Sequence, residues 1–135
     1  LAEILGTQIV VRDIVQVARD LELPVNVGTE MNKRGLPFAD DLEDLALAPY
    51  RNTFMRGARI MVGHTSLSRH ADFSYTGGKA DAEFGKDTRA KNDFFEAVGR
   101  LTPVDEKRAE ELQDMGPDGA LAWFRDETKK AEHKG

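Results

Sequence analysis

The residues of this chain best suited to chemistry are a carboxylate and a carboxamide that follow a short run of strand type. Residues 25–27 read Val-Asn-Val, a glycine follows, and Glu30 and Asn32 come next. The carboxyl end of a strand positions chemistry in α/β proteins, and residues two apart in extended backbone point the same way. We therefore predict one site into which Glu30 and Asn32 both point, and in which Glu30 ligates a metal ion or acts as the general base in catalysis. In the structural alternative, Glu30 caps the following turn or pairs with Lys33 or Arg34.

A second polar residue, His64, follows another run of strand type. Residues 58–63 read Ala-Arg-Ile-Met-Val-Gly and predict a strand that ends at its glycine. His64 is then a second candidate catalytic residue, as a nitrogen ligand or a proton shuttle, and a structural histidine bonded to a loop carbonyl is the alternative. Asn32 is also a candidate for positioning water or substrate, and Lys33 and Arg34 beside it are candidates for binding an anionic substrate group such as phosphate or carboxylate.

Alternating helix and strand signals surround these candidates. Residues 8–21 predict a helix with an apolar stripe, Pro24 ends it, and residues 50–56 predict a second helix with Gly57 as its exit. Helices that alternate with strands are typical of α/β units. Two strands do not make an independent sheet, so we predict the C-terminal segment of a (β/α) barrel-like fold, completed by a missing N-terminal part of the parent chain or by a homo-oligomer.

The chain after His64 has helical patterns only. One helix is predicted from Asp87 or Thr88 to Leu101, a second from a capping signal at 102–105 to Met115, and Pro117 opens a last one after Gly116. The aromatic residues at helical spacing in this region are predicted to lie in a core; they are Phe94, Phe95, Trp123 and Phe124. We predict barrel-like units in residues 1–76 and a helical extension in 77–135.

Composition limits the class of protein. The chain has 135 residues, of which 40% are hydrophobic and 32% charged, which fits one domain or a piece of one. A net charge of −5 argues against a nucleic-acid partner, and no apolar run reaches the length of a membrane span. With no cysteine, disulfides and thiolate zinc sites are excluded, and a cytoplasmic location fits best. The start without methionine leads us to expect a fragment.

Residues 27–32, Val-Gly-Thr-Glu-Met-Asn, resemble a motif of the polymerase-and-histidinol-phosphatase (PHP) family of metal-dependent phosphoesterases. The family motif is of the type Gly-Ser-Asp-x-His, so Thr29 stands for the serine, Glu30 for the metal-binding aspartate and Asn32 for the histidine. The resemblance therefore implies that Glu30 and Asn32 hold the metal ion. The resemblance implies a distorted (β/α)7 barrel with metal ions at the carboxyl ends of its strands. The family's His-x-His motif is absent from this sequence and would lie upstream.

Together, the motif and the resemblance predict the C-terminal fragment of a metal-dependent, phosphoesterase-like hydrolase. Its cofactor would be a divalent metal ion (Zn, Mn or Mg), its substrate an anionic small molecule, and the fragment by itself would be inactive. The alternative is a non-catalytic helical interaction or oligomerisation domain, in which residues 87–135 bury apolar stripes against a partner and Glu30 is structural.

Overall fold

Helices account for all the regular secondary structure in the described part of the chain. The computed structural model describes residues 2–26 and 48–134. In these ranges the elements are α1 (Ala2–Asp20), a 3-10 helix (Ala48–Tyr50), α2 (Arg51–Ala71), α3 (Gly78–Phe84), α4 (Thr88–Gly99) and α5 (Glu106–Lys134). The chain divides into two compact units, Leu1–Gly57 and Ala58–Gly135, and the boundary between them falls inside α2.

The predicted α/β fold is wrong, because the described residues are all-helical and contain no strand. Residues 58–63, predicted as a strand, lie inside α2. Ile60, Gly63 and Leu67 are buried there, whereas Val62 has an exposed fraction of 52%. Buried positions three and four apart are helical periodicity, which the strand interpretation missed because it treated the glycine as a terminator.

The strand predicted at residues 25–27 is not found in its described part. Val25 and Asn26 have no regular secondary structure, and Val27 lies outside the described residues. Since residues 2–26 and 48–134 supply no strand, the barrel-like fold is contradicted, and with it the fold that the hydrolase prediction required. The division between residues 76 and 77 stays a prediction.

In the first unit, α1 ends where the sequence predicts. Glu22 has the positive φ of 53°, its N–H donates to the Arg19 carbonyl at 3.1 Å, and the Leu23 N–H donates to the Ala18 carbonyl at 2.8 Å. This pair of bonds is a Schellman motif, which satisfies the last carbonyls of a helix. Pro24 follows at once and cannot continue the helix.

Three hydrophobic side chains are buried in the described part of the first unit. Val15 and Ala18 of α1 are buried, as is Phe54 of α2. Arg19 Nη2 donates to Thr53 Oγ1 at 2.9 Å, so a side-chain hydrogen bond joins the last turn of α1 to the first turn of α2.

The second unit contains an extensive hydrophobic core. Its buried members are Ile60, Leu67, Ala71, Phe73, Ala80, Phe95, Val98, Leu112, Ala120 and Phe124. The Phe95 ring stacks on that of Phe73 at 5.8 Å and meets the Tyr75 ring edge-on at 5.2 Å, both between centroids. Phe94 and Trp123 pack against this core. The core prediction for the aromatic residues of α4 and α5 is therefore confirmed.

Two glycines bring the backbones of α2 and α4 close together. A Cβ added to Gly63 would lie 1.9 Å from the Phe95 carbonyl oxygen, and a Cβ added to Gly99 would lie 1.8 Å from the Arg59 carbonyl oxygen. Both distances are far inside van der Waals contact, so neither position accepts a side chain without separating the helices.

The break predicted between the last two helices is confirmed within α5. Gly116 has φ 77° and ψ 171°, a conformation that favours glycine, and Pro117 begins the second half. The Arg108 guanidinium lies 5.1 Å from the centroid of the Trp123 ring, although the two residues are 15 positions apart. The halves of α5 therefore fold back on each other as an α-hairpin.

The start of α4 is confirmed, whereas α5 begins only at Glu106, after the predicted capping signal at 102–105, with Asp105 as its capping residue. The Asp87 carboxylate accepts from the Ala90 N–H at 3.0 Å, and the Asp105 carboxylate accepts from the Arg108 N–H at 2.8 Å. Each bond satisfies a backbone donor that has no partner inside its helix.

Candidate functional site

Four of the predicted site residues, Glu30, Asn32, Lys33 and Arg34, lie outside the described residues. The fifth, His64, lies within α2 and not at the end of a strand. The shared site predicted for Glu30 and His64 stays a prediction, and the strand ends that were to bring it together are not found in the described ranges.

His64 is a hydrogen-bond acceptor for the connection between α2 and α3. The Tyr75 N–H donates to His64 Nδ1 at 3.0 Å, and Ser68 Oγ lies 3.3 Å from the same nitrogen. Because a backbone N–H only donates, Nδ1 accepts, and the neutral ring carries its proton on Nε2. This geometry matches a structural histidine that fixes a turn.

Tyr75 extends the polar cluster into the core. Its hydroxyl donates to Asn92 Oδ1 at 2.5 Å, and Asn92 has an exposed fraction of only 1%. Lys91 Nζ lies 4.1 Å from the centroid of the Tyr75 ring, within cation–π range. Buried polar groups of this kind need partners, so the cluster fixes the α2–α3 connection against α4.

The described residues do not form a metal site. Among residues 2–26 and 48–134, no three His, Asp or Glu side chains converge in a group that could hold a metal ion. Asp72, close to His70 in sequence, pairs with Lys79 Nζ at 3.2 Å. The predicted divalent ion was assigned to Glu30 and Asn32, which lie outside the described residues, so it stays a prediction, and no metal-dependent step follows from the described donors.

His70 lines a cavity between α2 and α5. The cavity has a volume of about 510 Å³, and charged residues around it include Arg69, Glu106 and Glu110. Burial, and secondarily the neighbouring Arg69, lowers the pKa of His70 from 6.5. The neutral imidazole is therefore the favoured form in the folded chain at pH 7.

A groove along the α5 hairpin, called here the α5 groove, combines apolar walls with cations. Its volume is about 360 Å³, and its lining includes Leu101, Val104, Arg108, Trp123, Lys130 and Lys134. Such a volume lies within the range of small-molecule sites. Sequence reasoning missed this groove, although Trp123, Lys130 and Lys134 share one helix face through spacings of seven and four.

The charges in the α5 groove are unequal. Three cations, Arg108, Lys130 and Lys134, line it with two carboxylates, Asp105 and Glu127, which leaves one net positive charge. The Asp105 carboxylate caps α5. Glu127 Oε1 accepts from Lys130 Nζ at 3.0 Å. Arg108 also pairs with Glu111, which is not part of the lining, so the cations that the groove offers to a ligand are Lys130 and Lys134.

A second candidate surface lies on α1 in the first unit. Ile14, Val17 and Leu21 are exposed, with exposed fractions of 59%, 57% and 60%. We call these three residues the α1 stripe, since spacings of three and four place them on one side of the helix.

No family model, curated protein or solved structure matches this chain. In the part of the chain that the structure describes, no helix has the length and apolarity needed to cross a membrane.

Proposed function

We propose that this chain is a non-catalytic helical interaction domain whose α1 stripe docks a basic amphipathic helix. The observation that carries the proposal is the exposure of all three stripe residues, while Val15 and Ala18 on another side of α1 are buried in the first unit. One apolar side of α1 is thus exposed to solvent. Contiguous exposed apolar surface of this kind is typical of an interaction site.

The charges beside the stripe favour a basic partner. Neighbours on a helix surface are three and four positions apart. Val17 therefore has Ile14 and Leu21 on one side. On its other side are two exposed aspartates, Asp13 and Asp20. A partner helix with an apolar stripe flanked by Lys or Arg would cover the apolar residues and pair with both carboxylates. A second copy of α1 would instead bring further aspartates to the same interface.

The apolar stripes of residues 87–135 do not support docking. Phe95, Val98 and Phe124 are buried in the core of the second unit, so they are already covered by their own chain. A cytoplasmic location, expected from the cysteine-free composition, belongs to the same proposal.

The proposal is tested with two synthetic helical peptides that share a leucine stripe. One peptide carries lysines beside the stripe and the other carries glutamates, and binding is measured by fluorescence anisotropy of a labelled peptide. We expect the lysine peptide to bind, and we expect Val17→Ser to weaken its affinity about tenfold or more, as truncation of a central interface residue does. Asp13→Asn with Asp20→Asn should weaken binding and reduce its dependence on salt.

The matched control is Val62→Ser, which makes the same change at an exposed position of α2. It should leave the affinity for the lysine peptide unchanged. Equal binding by the parent chain and by Val17→Ser would refute the proposal, as would equal binding of the lysine and glutamate peptides. If the parent chain self-associates with rising concentration and Val17→Ser abolishes this, the partner of the α1 stripe is a second copy of the chain and not a basic helix.

A further inference from the structure

We propose that the α5 groove binds a small apolar monocarboxylate, with the hydrocarbon part on Leu101, Val104 and Trp123 and the carboxylate between Lys130 and Lys134. This site lies in the second unit and is independent of the α1 stripe. Leu101 and Val104 pack at the edge of the hydrophobic core, as does Trp123, so the groove offers apolar contact next to its cations.

The two lysines can approach one anion. They are four positions apart in α5, which places them on the same helix face in adjacent turns. The Lys130–Glu127 pair leaves the Lys130 side chain 68% exposed, and an exposed pair of this kind is weak. An incoming carboxylate can therefore share Lys130, and Lys134 lies beside it in the same lining.

The Trp123 side chain beside the lysines is held by contacts with its neighbours. The Arg108 guanidinium lies over the Trp123 ring and also pairs with the Glu111 carboxylate, so Arg108 and Trp123 hold each other in place. On its other side Trp123 meets the Phe124 ring edge-on at 5.0 Å between centroids. A preformed wall lowers the entropic cost of binding, since its side chains are already ordered.

The carboxylates of the groove disfavour a second negative charge. Asp105 and Glu127 belong to the lining and Arg108 already pairs with Glu111, so a second anionic group would add repulsion without an added cation. A dicarboxylate of the same chain length is therefore expected to bind more weakly than the monocarboxylate. A neutral alcohol of that length lacks the charge that the two lysines would contact.

The test uses octanoate as the probe and the fluorescence of Trp123 as the signal. Trp123 is the single tryptophan of the chain, so its emission reports directly on the groove. We expect a saturable change in emission with octanoate, and an affinity about tenfold lower for octan-1-ol and for the dicarboxylate suberate, as for loss of a charge-assisted hydrogen bond.

The variant that tests the carboxylate contact is Lys130→Gln with Lys134→Gln, which should lower the affinity for octanoate about tenfold. Lys86→Gln, an exposed lysine outside the groove lining, is the matched control and should bind octanoate like the parent chain. Circular dichroism confirms that each variant is folded. The proposal is overturned if octanoate gives no saturable change, if octan-1-ol or suberate binds as tightly, or if the double variant binds as well as the parent.

Discussion

Replacing Gly63 by alanine tests the close approach of α2 and α4 most directly. The added Cβ would lie 1.9 Å from the Phe95 carbonyl oxygen and 2.9 Å from its carbonyl carbon, while ordinary van der Waals contact begins at 3.4 Å. The collision is therefore about 1.5 Å deep against the oxygen. It involves backbone atoms, so no rotation of a side chain relieves it, and the two helices must move apart at the centre of the second unit.

The magnitude follows from two opposing effects. Overpacking a well-packed interior costs about 1–3 kcal/mol, and a collision with backbone belongs at the upper end of that range. Alanine is a better helix former than glycine by about 1 kcal/mol, which offsets part of the cost. We therefore expect Gly63→Ala to lower the free energy of unfolding by about 2 kcal/mol.

Urea titration followed by Trp123 fluorescence measures this loss, because the chain's single tryptophan lies in the same unit. The matched control is Gly78→Ala at the start of α3, where an added Cβ meets nothing within 4 Å. Gly78→Ala should be neutral or stabilising. If the free energy of unfolding of Gly63→Ala equals that of the parent chain or of Gly78→Ala, the close approach of α2 and α4 is refuted.

A double variant makes the reasoning stricter. Gly99→Ala should also destabilise, because its Cβ would lie 1.8 Å from the Arg59 carbonyl oxygen in the same helix crossing. Once one alanine has separated the helices, the second meets a wider gap. The combined loss should therefore be smaller than the sum of the single losses, and strict additivity would show that the two glycines do not share one interface.

Three further perturbations address other contacts. Tyr75→Phe removes the donor to Asn92 Oδ1 and should cost about 1–3 kcal/mol in urea titrations; an unchanged midpoint contradicts this. Gly116→Ala should cost about 1–3 kcal/mol from backbone strain alone, since φ is 77° and no atom lies near the added Cβ; unchanged thermal stability refutes it. Because the pKa of His70 is lowered from 6.5, the free energy of unfolding should be highest above pH 6.5 and fall as the pH drops through the pKa of His70 in the folded chain. His70→Gln should flatten this pH dependence, and the same pH dependence in the variant and the parent chain would disprove the assignment.

Much of the second unit could be predicted from sequence, because its helices carry local signals. Asp87 caps α4 as expected, Asp105 caps α5 at the end of the predicted capping signal, and Gly116 with Pro117 marks the break in α5. These signals depend on residues within one turn of each other. They therefore keep their meaning whatever the rest of the chain does.

The error in α2 came from glycines that serve packing between helices. Gly63 reads as the end of a short apolar run, yet it lies in the buried face of a continuous helix, where α4 approaches it. A short apolar run does not distinguish a strand from part of a helix. The information that decides between them is the position of Phe95, which is distant in sequence.

The candidate sites were predictable to different degrees. The spacing of Lys130 and Lys134 shows that both lie on one face of α5. The predicted break at Gly116 implies that the first half of α5 packs against the second. The bond from Tyr75 to His64 has no such signal, because it depends on the conformation of the connection between α2 and α3. Contacts made by backbone groups of irregular segments are not encoded in side-chain periodicity.

The break at Gly116 also bears on how fast the second unit folds. In a continuous helix over Glu106–Lys134, side chains would contact only residues three or four positions away in the same helix. The hairpin instead brings Arg108 into contact with Trp123, 15 positions later. Contacts at such short separation close small loops, so they form with little entropic loss compared with contacts between distant segments. We expect the hairpin to form early and to provide a surface onto which α2 and α4 then assemble.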